Sequence, residues 1–197
     1  IGEEVLRRGL RVRFSIECRV DNVGEELFAF LKRAGLTEVR LGVESGVQRL
    51  LDRYKKGVTV EENKRAILLL KRLGIPCKIG FISFDPTMTL DEFIENGQFL
   101  REVGYPRAFN QSDLGVIAGT PLERQLAREN RLVRGPFSIC SYGFDSRTVR
   151  FLHRMFIIFQ NVQTLLWKWI DRASIMLREL KYRCLRVSPR LLPSHQR

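Results

Sequence analysis

An acid and a base stand two residues apart in Phe14-Ser15-Ile16-Glu17-Cys18-Arg19. In an extended segment alternate side chains share a face, so Ser15, Glu17 and Arg19 project together while Phe14, Ile16 and Cys18 point the other way. Such a pair can hold the polar ends of a ligand, or form an ion pair inside a polar barrel interior. A second carboxylate lies between glycines in Leu41-Gly42-Val43-Glu44-Ser45-Gly46. Glycine allows close approach to the backbone, and an acid in this setting recurrently accepts hydrogen bonds from ribose hydroxyls. An ordinary loop acid fits the same residues. Lys56, in Tyr54-Lys55-Lys56-Gly57, offers a cation to a ligand carboxylate or stands as a solvated lysine. Two more segments, Gly80-Phe81-Ile82-Ser83-Phe84-Asp85-Pro86 and Gly115-Val116-Ile117-Ala118-Gly119-Thr120-Pro121-Leu122, combine small residues with proline. They read as plain turns, or as main chain that meets an adenine edge with the Phe81 ring against it.

The surrounding pattern predicts where these residues sit. Charged helical runs end at Gly9, Gly35, Gly74 and Gly104, each followed by a β-rich run. Glycine past a helix end can take the left-handed conformation, and basic residues in the last turn suit the helix dipole. Strands are predicted over Arg11–Cys18, Glu38–Val43, Cys77–Phe84 and about Ala108–Ile117, with helices over Gly24–Ala34, Thr59–Leu73 and Leu90–Val103. Thr59 with Glu62, and Thr89 with Glu92, are spaced as capping boxes. The order β-α-β-α-β-α-β implies parallel strands with helical crossovers, in a doubly wound sheet or a barrel wall. In either case the candidate residues lie at strand C-termini, where loops converge. Glu3 to Arg8 reads as the end of a helix whose preceding strand is absent, and the chain opens on Ile1, so the fold is expected to begin in the middle.

A chain of 197 residues with 44% hydrophobic and 28% charged residues can bury a sizeable core. No uninterrupted apolar run reaches the roughly 18 residues of a membrane span. Cys18, Cys77, Cys140 and Cys184 are far apart, which argues against a zinc site or a disulfide framework and for idle thiols in a reducing cytoplasm. His153 and His195 have no metal-ligand spacing to another His or Cys. From Arg147 to Arg197 there are eleven Lys or Arg against two acids, +9 of the net +12. In that region Val149, Leu152, Met155, Phe156, Phe159, Val162, Leu165, Leu166, Trp169 and Ile170 recur at helical spacing. They predict one or two amphipathic helices that pack on the barrel or cap its substrate side, with a solvated basic face. An RNA surface or an anionic membrane face is the other use of such a helix. A disordered tail is expected after Val187.

Taken in order, the strings from Ser15 to Arg19, Leu41 to Leu51, Lys55 to Thr59, Gly80 to Pro86 with Thr89, and Gly119 to Leu122 resemble the radical S-adenosylmethionine superfamily and, within it, its cobalamin-associated class. The resemblance covers Arg11 to Arg131. It implies the α/β fold of a parallel TIM-like partial (β/α) barrel, later strands only, over residues 1–134, with a basic helical C-terminal extension over 135–197. It implies that S-adenosylmethionine lies across the strand ends, with Glu17 at its amino group, Glu44 and Ser45 at the ribose and Lys56 at the carboxylate. Backbone at Phe81, Ile82 and Ser83, and at Ile117 and Gly119, would face adenine. Arg19 matches a recurrent position without an assigned role.

The family's 4Fe-4S cluster is held by C-x-x-x-C-x-x-C, a spacing that none of the four cysteines has. The cluster ligands are therefore expected upstream of Ile1, this chain is expected to be inactive alone, and no metal ligand is assigned within it. The resemblance implies that the parent enzyme cleaves S-adenosylmethionine reductively to a 5′-deoxyadenosyl radical for methyl transfer or rearrangement on a small molecule. Its electron donor would be a flavodoxin or ferredoxin, and cobalamin a possible second cofactor. The competing expectations are a radical enzyme acting on transfer RNA, which the net charge favours, and a non-catalytic half-barrel remnant.

Overall fold

The computed structural model describes residues 2–106, 108, 113–134 and 140–186. Two compact units divide the chain, Ile1–Arg150 and Phe151–Arg197. In chain order the elements are α1 (Gly2–Arg7), β1 (Phe14–Arg19), a 3₁₀ turn (Val20–Asn22), α2 (Glu25–Arg33), β2 (Leu36–Glu44), α3 (Gln48–Arg53), α4 (Val60–Arg72), β3 (Cys77–Phe81), α5 (Leu90–Glu102), α6 (Pro121–Arg128), β4 (Leu132–Arg134), β5 (Cys140–Tyr142) and α7 (Arg147–Arg186).

The predicted signals for helix ends are used as read. Thr59 and Thr89 close reciprocal capping boxes with Glu62 and Glu92. The four helix-terminating glycines have φ between +62° and +110°. At Gly35 a side chain is excluded twice over, by φ of +110° and by the Val12 carbonyl oxygen 2.1 Å from where a Cβ would stand.

β1, β2 and β3 form a parallel sheet in that order. Glu17 stands beside Arg40 and Arg40 beside Lys78, while Cys18, Leu41 and Ile79 form the next row. The helices α2, α4 and α5 bury one face, where Val39, Leu41 and Val43 meet Phe28, Ile67, Leu70, Phe99 and Leu100. On the opposite face Ser15, Glu17, Arg19, Arg40 and Lys78 are exposed. A doubly wound sheet carries helices on both faces; one helical face and one open polar face is the arrangement of a barrel wall.

Of the strand expected at Ala108–Ile117, residues 109–112 lie outside the described residues. Asp113 forms a parallel bridge to Phe84, and the Leu114 N–H donates to the Phe84 carbonyl at 3.0 Å. The expected third strand, Cys77–Phe84, is continuous only to Phe81. Four elements are not anticipated by the sequence pattern: α3, the antiparallel pair β4 and β5, and α6, which is capped by Thr120 with Pro121 in its first turn. The helix predicted in the basic region is a single element, α7. In it Val149 is buried, whereas Phe151, Met155, Phe159, Val162, Leu165, Leu166 and Trp169 are exposed. No described helix is long and apolar enough to cross a membrane. The tail predicted to be disordered after Val187, and His195, lie outside the described residues.

Candidate active site

The C-terminal end of β2 breaks its register against β3 between Gly42 and Glu44. Glu44 takes φ of +65°, and the Ser45 N–H reaches back to the Val43 carbonyl at 2.8 Å. That two-residue hydrogen bond with positive φ at the centre defines a γ-turn of the rare, strained kind. The Ile82 N–H donates to the Glu44 carbonyl at 2.7 Å, joining this turn to the end of β3.

The turn brings the Glu44 carboxylate to the Lys56 ammonium, Oε1 to Nζ 2.9 Å, with both side chains mostly buried. Lys56 lies in a tight connection after α3, flanked by Lys55 at φ of +52° and Gly57 at +67°. Its N–H donates to Leu51, and its carbonyl accepts from Arg19 Nη2 at 2.6 Å. The ion pair rests on Gly42, where an added Cβ would stand 3.0 Å from Lys56 Nζ and 3.1 Å from Glu44 Oε1. A side chain there would push the two charged tips aside by a few tenths of an ångström.

Glu44 and Lys56 open into a hollow of about 660 Å³, bounded also by Arg53, Ile82, Leu114 and Thr120. That volume lies within the roughly 300–1,000 Å³ of small-molecule sites. Behind it Arg53 Nη1 donates to the fully buried Asp85 at 2.8 Å and contacts the Thr87 hydroxyl, while the Tyr54 hydroxyl donates to Asp85 at 3.1 Å. Burial, with the adjacent Asp85 carboxylate, raises the Tyr54 phenol well above its ordinary range, so it stays a donor.

The predicted site residues divide. Glu44, Lys56 and Ile82 meet at the hollow. Glu17 is exposed on the open sheet face and does not line the hollow, so the expected convergence of Glu17, Glu44 and Lys56 reduces to the last two. Arg19 pairs with Asp21 at 2.8 Å instead of with Glu17, and holds the Lys56 backbone instead of facing the hollow. Ser45 is fully buried, its hydroxyl donating to Asn96 Oδ1 at 3.0 Å and accepting from the Val47 N–H at 3.1 Å, so it is spent on the turn. Phe81 is 3% exposed and stacks on Phe99 in the core, with centroids 6.2 Å apart, because it shares the helix-covered face with Cys77 and Ile79. Ser83 is fully buried, with no hydrogen-bond partner for its hydroxyl among the described residues. The Ile117 side chain is 70% exposed and its carbonyl accepts from the Thr120 hydroxyl at 2.7 Å. The Gly119 N–H donates to Glu123 at 2.8 Å, so the start of α6 uses it. Sequence reading missed Arg53 and Asp85. A basic residue three positions before Lys56 and an acid between Phe84 and Pro86 were the available signals.

Among the described residues no group of three His, Cys, Asp or Glu side chains could hold a metal ion. Cys18 and Cys77 are free and half-buried on the helix-covered face. Burial raises both thiols, Cys77 to about 11, which opposes the thiolate form a metal needs. An iron–sulfur cluster therefore does not fit the described residues, whereas one acid, the cations Arg53, Lys55 and Lys56 and apolar walls around one hollow do fit a nucleoside that carries a carboxylate.

Residues 1–106 match the family model of the radical SAM superfamily. The chain is similar to 4'-phospho-dehydrooxetanocin synthase of Priestia megaterium, at 37% identity over 113 residues, covering 51% of this chain and 15% of that protein. It is also similar to an anaerobic magnesium-protoporphyrin IX monomethyl ester cyclase of Rubrivivax gelatinosus, at 43% identity over 82 residues, covering 41% and 15%. This chain thus spans a minor part of the length of those relatives. In fold it resembles the cobalamin-dependent S-adenosylmethionine radical enzyme OxsB solved with aqua-cobalamin, with a TM-score of 0.64 at 24% identity over 76% of this chain and 29% of that one. The radical S-adenosylmethionine methyltransferase TsrM from Kitasatospora setae gives 0.53 at 20% identity, covering 68% and 28%. The parallel wall with one open polar face is thus part of a known barrel plan, and the family match over more than half of its residues makes this chain a member of the radical SAM superfamily.

Proposed function

We propose that the hollow over Gly42 binds S-adenosylmethionine for a cobalamin-associated radical enzyme that performs methyl transfer or rearrangement on a small molecule. One observation carries the reading: Glu44 and Lys56, from separate segments, close on each other at 2.9 Å on the wall of a 660 Å³ hollow at the C-terminal edge of a parallel sheet. Glu44 accepts from the ribose hydroxyls and Lys56 donates to the amino-acid carboxylate. Each group thus exchanges its present partner for one on the ligand, and neither is left as an unpaired, partly buried charge. Ile82 and Leu114 supply apolar wall. The reaction class rests on the superfamily, and the cobalamin class on the relatives named above. A flavodoxin or ferredoxin as electron donor and a reducing cytoplasm belong to the same reading. What this chain's described residues contribute is binding and orientation of the nucleoside.

Calorimetric titration of S-adenosylmethionine into the full-length protein tests this. Glu44→Ala and Lys56→Ala are each expected to weaken binding about tenfold or more, the loss of one charge-assisted hydrogen bond. Unchanged affinity in both variants overturns the assignment.

A further inference from the structure

The γ-turn that aims Glu44 is gripped from both sides by two asparagines on different helices. Asn63 of α4 donates from Nδ2 to the carbonyls of Val43 and Ser45, each at 3.0 Å, spanning Glu44. Asn96 of α5 accepts at Oδ1 from the Gly46 N–H at 2.7 Å and from the Ser45 hydroxyl at 3.0 Å. Both side chains are fully buried. Their remaining atoms, Asn63 Oδ1 and Asn96 Nδ2, have no hydrogen-bond partner among the described residues. Each amide therefore spends its bonds on this turn while half of it stays unsatisfied in the interior, an arrangement that costs stability compared with an apolar side chain of similar size.

A residue with a Cβ persists at positive φ only where its surroundings over-determine the backbone. Two carbonyls captured from one side and an N–H and a hydroxyl from the other do that for Glu44. Released, the backbone at Glu44 would relax to negative φ, turning its Cα–Cβ bond and shifting the carboxylate from its place against Lys56.

We infer that Asn63 and Asn96 are positioning residues for the S-adenosylmethionine site, holding Glu44 in its strained conformation so that its carboxylate faces the hollow. This inference rests on the proposed function of that hollow. The asparagines touch no ligand and act only through Glu44, so their effect on binding must vanish when the Glu44 carboxylate is absent. Asn96→Asp keeps the acceptor and replaces only the unpartnered nitrogen. The same change at Asn63 turns a carboxylate oxygen onto two carbonyls.

The experiment is a double-mutant cycle on S-adenosylmethionine affinity in the full-length protein, with folding checked by circular dichroism. Asn96→Leu is expected to weaken binding about tenfold and Asn96→Asp to stay within about threefold, while Asn96→Leu in a Glu44→Ala background changes affinity by no more than about twofold. Asn63→Asp is expected to weaken binding where Asn96→Asp does not. Should Asn96→Leu fail to fold, Asn63→Leu goes through the same cycle. An equal loss with and without the Glu44 carboxylate, or equal losses for the two aspartate variants, overturns the positioning role alone. If Glu44→Ala leaves affinity unchanged, the proposed function of the hollow falls and the inference with it.

Discussion

Glu44 and Lys56 neutralise each other at the hollow, and each is kept there by backbone contacts instead of by the other's charge alone. Residue type and spacing marked both as candidates without separating them from an ordinary loop acid and a solvated lysine, and the structure brings the two together at the hollow. The Phe81 ring turns to the core for a readable reason: Lys78 and Gly80 share one parity on β3, and Phe81 falls on the other, with Cys77 and Ile79. That parity also makes a prediction for the thiols. Burial is the leading cause of the raised values of Cys18 and Cys77, the latter to about 11. Both thiols stay protonated at neutral pH, so iodoacetamide is expected to label them far more slowly at pH 7.5 than a free cysteine, with rates rising through the alkaline range. Peptide mass spectrometry over a pH series checks this, and rapid labelling near neutrality would contradict their burial.

At the level of elements, the capping boxes of α4 and α5 and the glycine stops were plain in the sequence because caps are local chemistry. The start of α6 carried the same signal, Thr120-Pro121-Leu122-Glu123, but was read as a strand end, since proline serves both a turn and a first helical turn. Two glycines that look alike in sequence differ in what surrounds them. A Cβ on Gly46 would stand 2.3, 2.4 and 2.8 Å from atoms of the Phe99 ring and its Cβ, whereas one on Gly97, inside α5, meets nothing within 4 Å. Gly46→Ala is expected to destabilise by about 1–3 kcal/mol through overpacking, and Gly97→Ala to stabilise by about 0.5–1 kcal/mol through helix propensity. Urea denaturation of the two variants reads both signs.

Across the molecule, α3 is tied to the start of α5 and the loop before it by charge. Arg49 grips Glu92, with Nη2 to Oε2 at 2.6 Å, and Arg53 grips Asp85. Glu92 also closes the capping box of α5. The Arg49 guanidinium is the main reason the Glu92 carboxyl lies below its ordinary value of 4.5. A depressed carboxylate stabilises the folded state above its unfolded value and loses that contribution as pH falls through its folded value. Glu92→Gln is therefore expected to cost about 1–2 kcal/mol at pH 7, with the gap from the unmodified protein closing as pH drops below about 4. Thermal unfolding across pH 3 to 7 measures it; a gap independent of pH would mean that the charge contributes nothing.

The order of β1, α2, β2, α4, β3 and α5, the caps of α4 and α5 and the parallel arrangement were determined by the sequence alone, because periodicity and capping are properties of short stretches of chain. The resemblance implied the barrel wall, and only the tertiary structure placed Glu17, Ser45 and the Phe81 ring away from the hollow and brought Asn63 and Asn96 onto one turn. Those outcomes depend on which buried groups meet across 20 to 50 residues of chain, and no local pattern encodes the far partner of a hydrogen bond.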